Sequence, residues 1–301
     1  MNVIEISCPA KTFIVGEYAV LDGGPAIVLN TSPRFVCRIQ KNSTAGKIHL
    51  AENSPAGQWI KKHPQDFHSI QLEWINNYEN KGGLGFSSAQ FNILYAYSFI
   101  LREGHIDQIN PKEIWRSYRN LKFDGFVPSG ADIITQWVGG VTVFEQSPLS
   151  IETLTSSLPG LDCLVLRTGD YFETYKYLKN FKLKDVSDLK KIAQLAVTAM
   201  KQKEETAFVS AINDYRKALK RKNYITAKSE EILSRLEKVK AIKALKACGA
   251  MGAETLIVFY NKQDKEEVKK ETSFLETSAT GEQITYGVSF QKITKKAEVF
   301  A

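Results

Sequence analysis

The spacing of apolar residues changes character along the chain. Near the amino end, "VIEIS", "AIVLN", "RFVCRIQ" and "KIHLA" are short, β-branched or alternating, and parted by Gly, Pro and Ser. They predict strands, with "LDGGPA" as a turn between two of them. The pattern then lengthens. A helix is predicted over residues 66–78, a second from Ser87 or Ser88 to about Arg102 with Gly104 as its stop, and a third from Asn110-Pro111 toward Lys122. "GADIITQWV" predicts a short helix and "GVTVFE" a strand after it. The polar, turn-rich "QSPLSIETLTSSLPG" is the best boundary between two lobes, residues 1–150 and 151–301. Beyond it "LDCLVLR" predicts a buried strand. A helical stretch follows over 187–246, broken near 203 and 222, whose last part spaces Ile232, Leu236, Val239, Ile242 and Leu245 three or four apart. "ETLIVFY" predicts a strand and "KQDKEEVKKETSFLE" a charged helix.

At 301 residues the chain can bury a good core, and chains above roughly 250–300 residues tend to divide. With 43% hydrophobic and 24% charged residues it has the composition of a soluble globule. The net charge of +7 is spread out and densest near "YRKALKRKNY", which predicts a solvated helix face. A basic balance also suits an anionic small molecule. No aromatic–basic RNA motif is present, so no nucleic-acid partner is expected. Cys8, Cys37, Cys163 and Cys248 lie far apart and form no CxxC pair; reduced thiols and a cytoplasmic location are expected. No basic-then-apolar leader opens the chain, and "FNILYAYSFIL" is too short to cross a bilayer. The four histidines show no metal-ligand spacing.

Against that background, "NKGGLGFSSAQFN" (residues 80–92) raises a chemical question. Glycines let backbone N–H groups converge without Cβ obstruction, and a following helix adds unpaired N–H groups and a partial positive charge. Together they suit a phosphate. The Ser87 and Ser88 hydroxyls could cap the helix or reach a Mg²⁺ ion bound to the phosphates. Alone, the stretch reads equally as a glycine turn with a serine cap: it has neither the GK[ST] of a Walker loop nor a proper GxGxxG. Three other stretches share its character: "CPAKTFIVGEYAVLDGGPAI", "VPSGADIITQWVGGV" and "KACGAMGAETLIVFY".

In order and spacing these four stretches resemble the GHMP small-molecule kinases. The first is similar to the family's "PGK…GE(H/Y)AV…G.PA(I/L)" through Pro9, Lys11, Gly16, Glu17, Tyr18, Ala19, Val20, Gly24, Pro25 and Ala26. "GLGSSAA" is matched by Gly83, Leu84, Gly85, Ser87 and Ala89, and "SG.D….GG" by Ser129, Gly130, Asp132, Gly139 and Gly140. "K.SGAGGGD" is matched loosely by Lys246, Gly249, Ala250 and Gly252, with Glu254 in place of Asp. Phe86 and Ser88 replace a serine and an alanine, while Cys248, Met251 and Ala253 replace a serine and two glycines. Leu121 stands where mevalonate kinases carry a metal-holding glutamate, leaving Asp124 as the nearest carboxylate; Glu173 stands where a "TG…ST" segment has serine.

The resemblance implies an α+β, two-lobed fold: a strand-rich, ATP-binding amino-terminal lobe and a helix-rich carboxy-terminal lobe with an antiparallel sheet. It implies ATP phosphates on Gly82, Gly83 and Gly85 and on the helix begun by Ser87, with the Ser87 hydroxyl (or Ser88, if the loop shifts) on Mg²⁺. It further implies Asp132 as acceptor of the substrate hydroxyl proton and Lys11 beside it and the γ-phosphate. Read from the residues alone, Asp132 would serve as a helix cap and Lys11 as a solvated lysine. "GEYAVLDGGPAI", with Tyr18 where mevalonate kinases usually have histidine, and "SGADI" look nearest the phosphomevalonate kinase branch; the resemblance implies a mevalonate-pathway kinase, its mevalonate-type acid acceptor phosphorylated or not, and a monomer or homodimer. Another sugar or amino-acid alcohol acceptor, or a binding protein of this fold with weak activity, stays open.

Overall fold

The computed structural model describes residues 2–41, 48, 50–78, 82–123, 127–154, 158–170 and 185–294. Its first sheet grows from two long antiparallel strands, β1 (Asn2–Val15) and β2 (Ala26–Lys41). β2 is long enough to serve two partners. Its first residues pair with β4 (Val141–Gln146) and its last with β3 (Ile70–Asn76). β5 (Leu149–Leu154) continues the sheet beyond β4, so part of the polar stretch after residue 146 is an antiparallel edge strand.

β3 corrects the predicted helix over 66–78. Only Pro64–Phe67 is helical there, preceded by a helix over Pro55–Lys62 (α1; the short one is α2). Phe67, Ile70 and Trp74 have helical spacing, yet Leu72 and Trp74 also alternate with exposed Gln71 and Glu73. A short apolar segment is ambiguous in this way. The unpaired backbone of β2 from Phe35 to Lys41 resolves it by taking the segment as a strand. Of the predicted strand "KIHLA", only Ile48, Leu50 and Ala51 are described, and none is in a strand.

α3 (Phe86–Glu103) ends at Gly104 as predicted and lies under this sheet. Its buried residues cover most of its circumference, Phe91, Ile93, Leu94, Tyr95 and Tyr97 among them, as in a helix enclosed on all sides. Buried Asn92 is satisfied by donating to the Ile133 carbonyl at 3.0 Å. That bond joins α3 to α5 (Ala131–Val138), which follows α4 (Pro111–Arg119); Asn110 caps α4 as expected.

The second sheet has the order β7-β8-β6-β9, all neighbours antiparallel. β6 (Leu161–Arg167) is paired on both sides, which suits its unbroken apolar run. Helices α6 (Ser187–Gln202), α7 (Glu205–Arg221) and α8 (Ala227–Leu236) follow, with breaks near 203 and 222 as predicted; α7 and α8 pack on the strand after them, while α6 lies against α7 and β2. The helical pattern ends earlier than expected: β7 (Ile242–Cys248) pairs with β8 (Thr255–Asn261). Leu236, Val239 and Ile242 are linked by tight turns, so their three-residue spacing belongs to a turn and not to a further helix. The basic stretch on α7 is held by acids: Arg216 by Glu237, Lys220 by Glu230, and Lys222 by Asp188 at 2.9 Å. After α9 (Lys265–Glu271) and β9 (Glu276–Thr280), β10 (Ser289–Thr294) returns to the first sheet beside β1. One continuous apolar core joins the two sheets. All four cysteines are buried free thiols, and no helix among the described residues is long and apolar enough to cross a membrane.

Candidate functional site

Lys11 lies in the middle of β1, and its N–H donates to the Leu84 carbonyl at 2.9 Å. This ties the first stretch to the glycine loop. Gly85 precedes α3 with a left-handed φ of 84°. A Cβ there would stand 2.7 Å from Lys11 Cγ, 2.9 Å from Lys11 Cε and 3.1 Å from Gln136 Nε2. The lysine stem therefore runs across Gly85, carrying Nζ over the Phe13 ring at 4.8 Å from its centroid. Gln136 of α5 is fully buried and donates to the carbonyls of Pro9, at 2.7 Å, and Gly85, at 3.2 Å. Three of the four stretches thus meet at one glycine.

Asp132 lies one turn before Gln136 and on the same face of α5. Gly130 is the residue at the cap position, and Asp132 Oδ1 accepts from the N–H of Ile133 at 3.0 Å. Asp132 is therefore a half-buried carboxylate in the first turn and not the cap itself. Its charge reaches Tyr118, whose hydroxyl is pushed well above its usual pKa by burial first and by Asp132 second.

The two serines part company. Ser88 is buried and donates to the Gly85 carbonyl at 2.9 Å, while Ser87 is exposed in the first turn of α3. No side chain caps this helix. The exposed Ser87 hydroxyl belongs to that uncapped first turn.

The fourth stretch closes over the same loop. A Cβ on Gly82 would stand 2.0 Å from Glu254 Oε1, and one on Gly83 2.8 Å from Glu254 Cβ. Glu254 thus presses on both residues. Arg167, at the end of β6 and almost fully buried, donates to the Gly82 carbonyl at 3.3 Å and has Nε 3.6 Å from Glu276. Sequence reasoning missed Arg167; its one signal was a charge closing an otherwise apolar strand. The fourth stretch is held by its neighbours. The Tyr18 hydroxyl accepts from Met251 N–H at 2.9 Å, Ser229 donates to the Gly252 carbonyl at 2.7 Å, and Thr168 bonds the Ala253 carbonyl. Tyr18 also stacks on Tyr224, ring centroids 4.1 Å apart.

Below the loop, Lys246 Nζ lies 2.7 Å from Glu17 Oε1, both groups buried. Burial pushes the Glu17 carboxyl up, and the Lys246 ammonium opposes the shift. Cys248, 3.6 Å from that ammonium, has its thiol pushed up to about 11 by burial, so it stays protonated. Leu121 is buried and apolar. Asp124 and Glu173 lie outside the described residues. Among the described residues no group of three or more His, Cys, Asp and Glu could hold a metal ion.

No protein-family model matches the sequence, and no curated protein matches it. Solved structures do. Streptococcus pneumoniae phosphomevalonate kinase, in complex with phosphomevalonate and AMPPNP, superposes with a TM-score of 0.74 at 14% identity, over 92% of this chain and 98% of that one. Lactococcus lactis galactokinase complexed with galactose gives 0.74 at 10% identity, over 95% of each chain. Methanococcus jannaschii mevalonate kinase gives 0.64 at 14% identity, over 96% of each. The chain has the α+β fold of the GHMP kinases.

Proposed function

We propose that this protein transfers the γ-phosphoryl group of ATP to the hydroxyl of a mevalonate-type acid, mevalonate or phosphomevalonate. The observation that carries the reading is the junction at Gly85. There a glycine loop, an uncapped helix start, a lysine and an aspartate-bearing helix converge, although they come from separate parts of the sequence. Phosphoryl transfer needs this kind of positioning and charge stabilisation more than covalent help.

In this reading the phosphates rest on Gly82, Gly83, Gly85 and the first N–H groups of α3. Lys11 meets the charge that develops on the transferring group, where fixed donors are most effective. Arg167 steadies the loop from beneath. Asp132 accepts the acceptor hydroxyl proton. The donor set fits a nucleotide-borne Mg²⁺. Such an ion keeps most of its coordination for phosphate oxygens and water and needs only one or two protein ligands. Ser87 and Glu254 would hold it. Bound there, Mg²⁺ neutralises phosphate charge. Two of the similar solved structures, a phosphomevalonate kinase and a mevalonate kinase, support the acceptor class, and the galactokinase supports phosphoryl transfer only.

A second reading rests on Glu254. A carboxylate against Gly82 and Gly83 places negative charge beside the phosphate site, which opposes phosphoryl transfer there and favours a binding protein of this fold that transfers nothing. One assay separates the two: coupled ADP release with mevalonate, phosphomevalonate, galactose and homoserine. Turnover with either mevalonate form is expected. Turnover of galactose alone refutes the acceptor assignment. Saturable ATP binding with no ADP release for any acceptor supports the second reading.

A further inference from the structure

A cavity of about 440 Å³ lies between the two sheets, away from the glycine loop. It opens at the Leu161 end of β6. Arg167, which touches Gly82, is at the other end of that strand, about 20 Å away at roughly 3.3 Å per residue. Ile14, Leu29 and Val141 of the first sheet form one wall; Leu161 and Phe259 of the second, with Met200 of α6, form the other. All six are buried. Close-packed interiors rarely leave a void of this size, and one walled by apolar side chains takes apolar ligands. The volume falls in the range of small-molecule sites, roughly 300–1,000 Å³.

The mouth carries Asp162, Lys262, Lys265 and Glu282. Three are engaged. Glu282 pairs with Lys265 at 2.6 Å, and Asp162 accepts from Cys163 N–H at 2.7 Å and from the Tyr260 hydroxyl at 3.1 Å. Lys262 is exposed, and its ammonium makes no ion pair among the described residues. We propose that this cavity binds a small amphipathic anion, its apolar body between the sheets and its carboxylate or phosphate head on Lys262. The site spans both sheets and does not depend on the kinase reading.

Isothermal titration with octanoate, octyl phosphate and the neutral octan-1-ol tests it; the two anions distinguish the head groups. The wild-type protein should bind octanoate or octyl phosphate at one saturable site that Mg·ATP does not displace. Lys262→Glu, an exposed change that leaves folding intact, should weaken that anion about tenfold, the size expected for reversing one partly exposed ion pair. It should leave octan-1-ol binding unchanged. Val141→Phe, which fills the cavity, should abolish binding of all three; if it fails to fold, Lys262→Glu decides alone. Absence of saturable binding of either anion, displacement by Mg·ATP, or unchanged anion affinity in Lys262→Glu overturns the proposal.

Discussion

Two glycines flank α3 with left-handed φ, Gly85 at 84° and Gly104 at 85°. Only one of them is crowded. A Cβ at Gly104 would meet nothing within 4 Å, whereas one at Gly85 would meet the Lys11 stem at 2.7 Å. Replacing each with alanine therefore imposes a backbone cost of the same kind, roughly 1–2 kcal/mol for a left-handed non-glycine residue. In a chain of 301 residues that lowers Tm by about 2–3 °C. At Gly85 a second effect is added. Ordinary carbon contacts lie near 3.5–4.0 Å, so the Lys11 stem must retreat by about 1 Å. The stem can bend, so the added cost falls on the position of Nζ and less on stability. A misplacement of that size at a reacting centre can cost about 10²-fold. Gly85→Ala and Gly104→Ala should thus melt within a few degrees of each other, while only Gly85→Ala loses about two orders of magnitude in kcat/KM. Differential scanning fluorimetry and the coupled ADP-release assay read the two quantities. If both variants lost activity equally, or neither did, the contact between Gly85 and Lys11 would have no part in catalysis and the loop would be a turn.

Asp132→Asn should lower kcat by about 10²–10⁴-fold with little change in Tm, since the carboxylate is not the helix cap; full activity with a lost cooperative melt would make the residue structural. Lys11→Met should lower kcat too, and the double variant should lose far less than the product of the single losses, as groups acting together do. Glu254→Gln should change sign with the metal: ATP binding measured by equilibrium dialysis should tighten without Mg²⁺, where a like charge has gone, and weaken with it, where a ligand has gone. An equal effect in both conditions separates Glu254 from the metal. Lys246→Met should cost about 3–5 kcal/mol in urea denaturation by stranding the buried Glu17 charge, and Glu17→Gln added to it should restore much of the loss.

The elements read correctly from sequence carry their own local signals. α3 has a glycine before it and Gly104 after it, α4 has Asn110-Pro111 at its start, and β6 is an apolar run too short for a helix. Each is determined by residues adjacent in the chain. The Lys11, Gly85 and Asp132 stretches were legible as short motifs in a fixed order, the last two each placing glycine beside a helix start. What tertiary structure alone decided depends on partners distant in sequence. Residues 70–76 and 242–248 have spacing compatible with a helix and became strands because β2 and β8 offered unpaired edges. β10 had no signal of its own and is specified by the free side of β1. At the site, a pattern could nominate Ser87 and Ser88 together, but only burial against the Gly85 carbonyl separates them. Likewise, the positions of Arg167 and Glu254 against Gly82 are set by how the second sheet meets the first, across more than 80 residues of chain. Local sequence determines backbone preference and chemistry; the pairing of strand edges and the packing of two sheets on one core determine which of those chemical groups share a site.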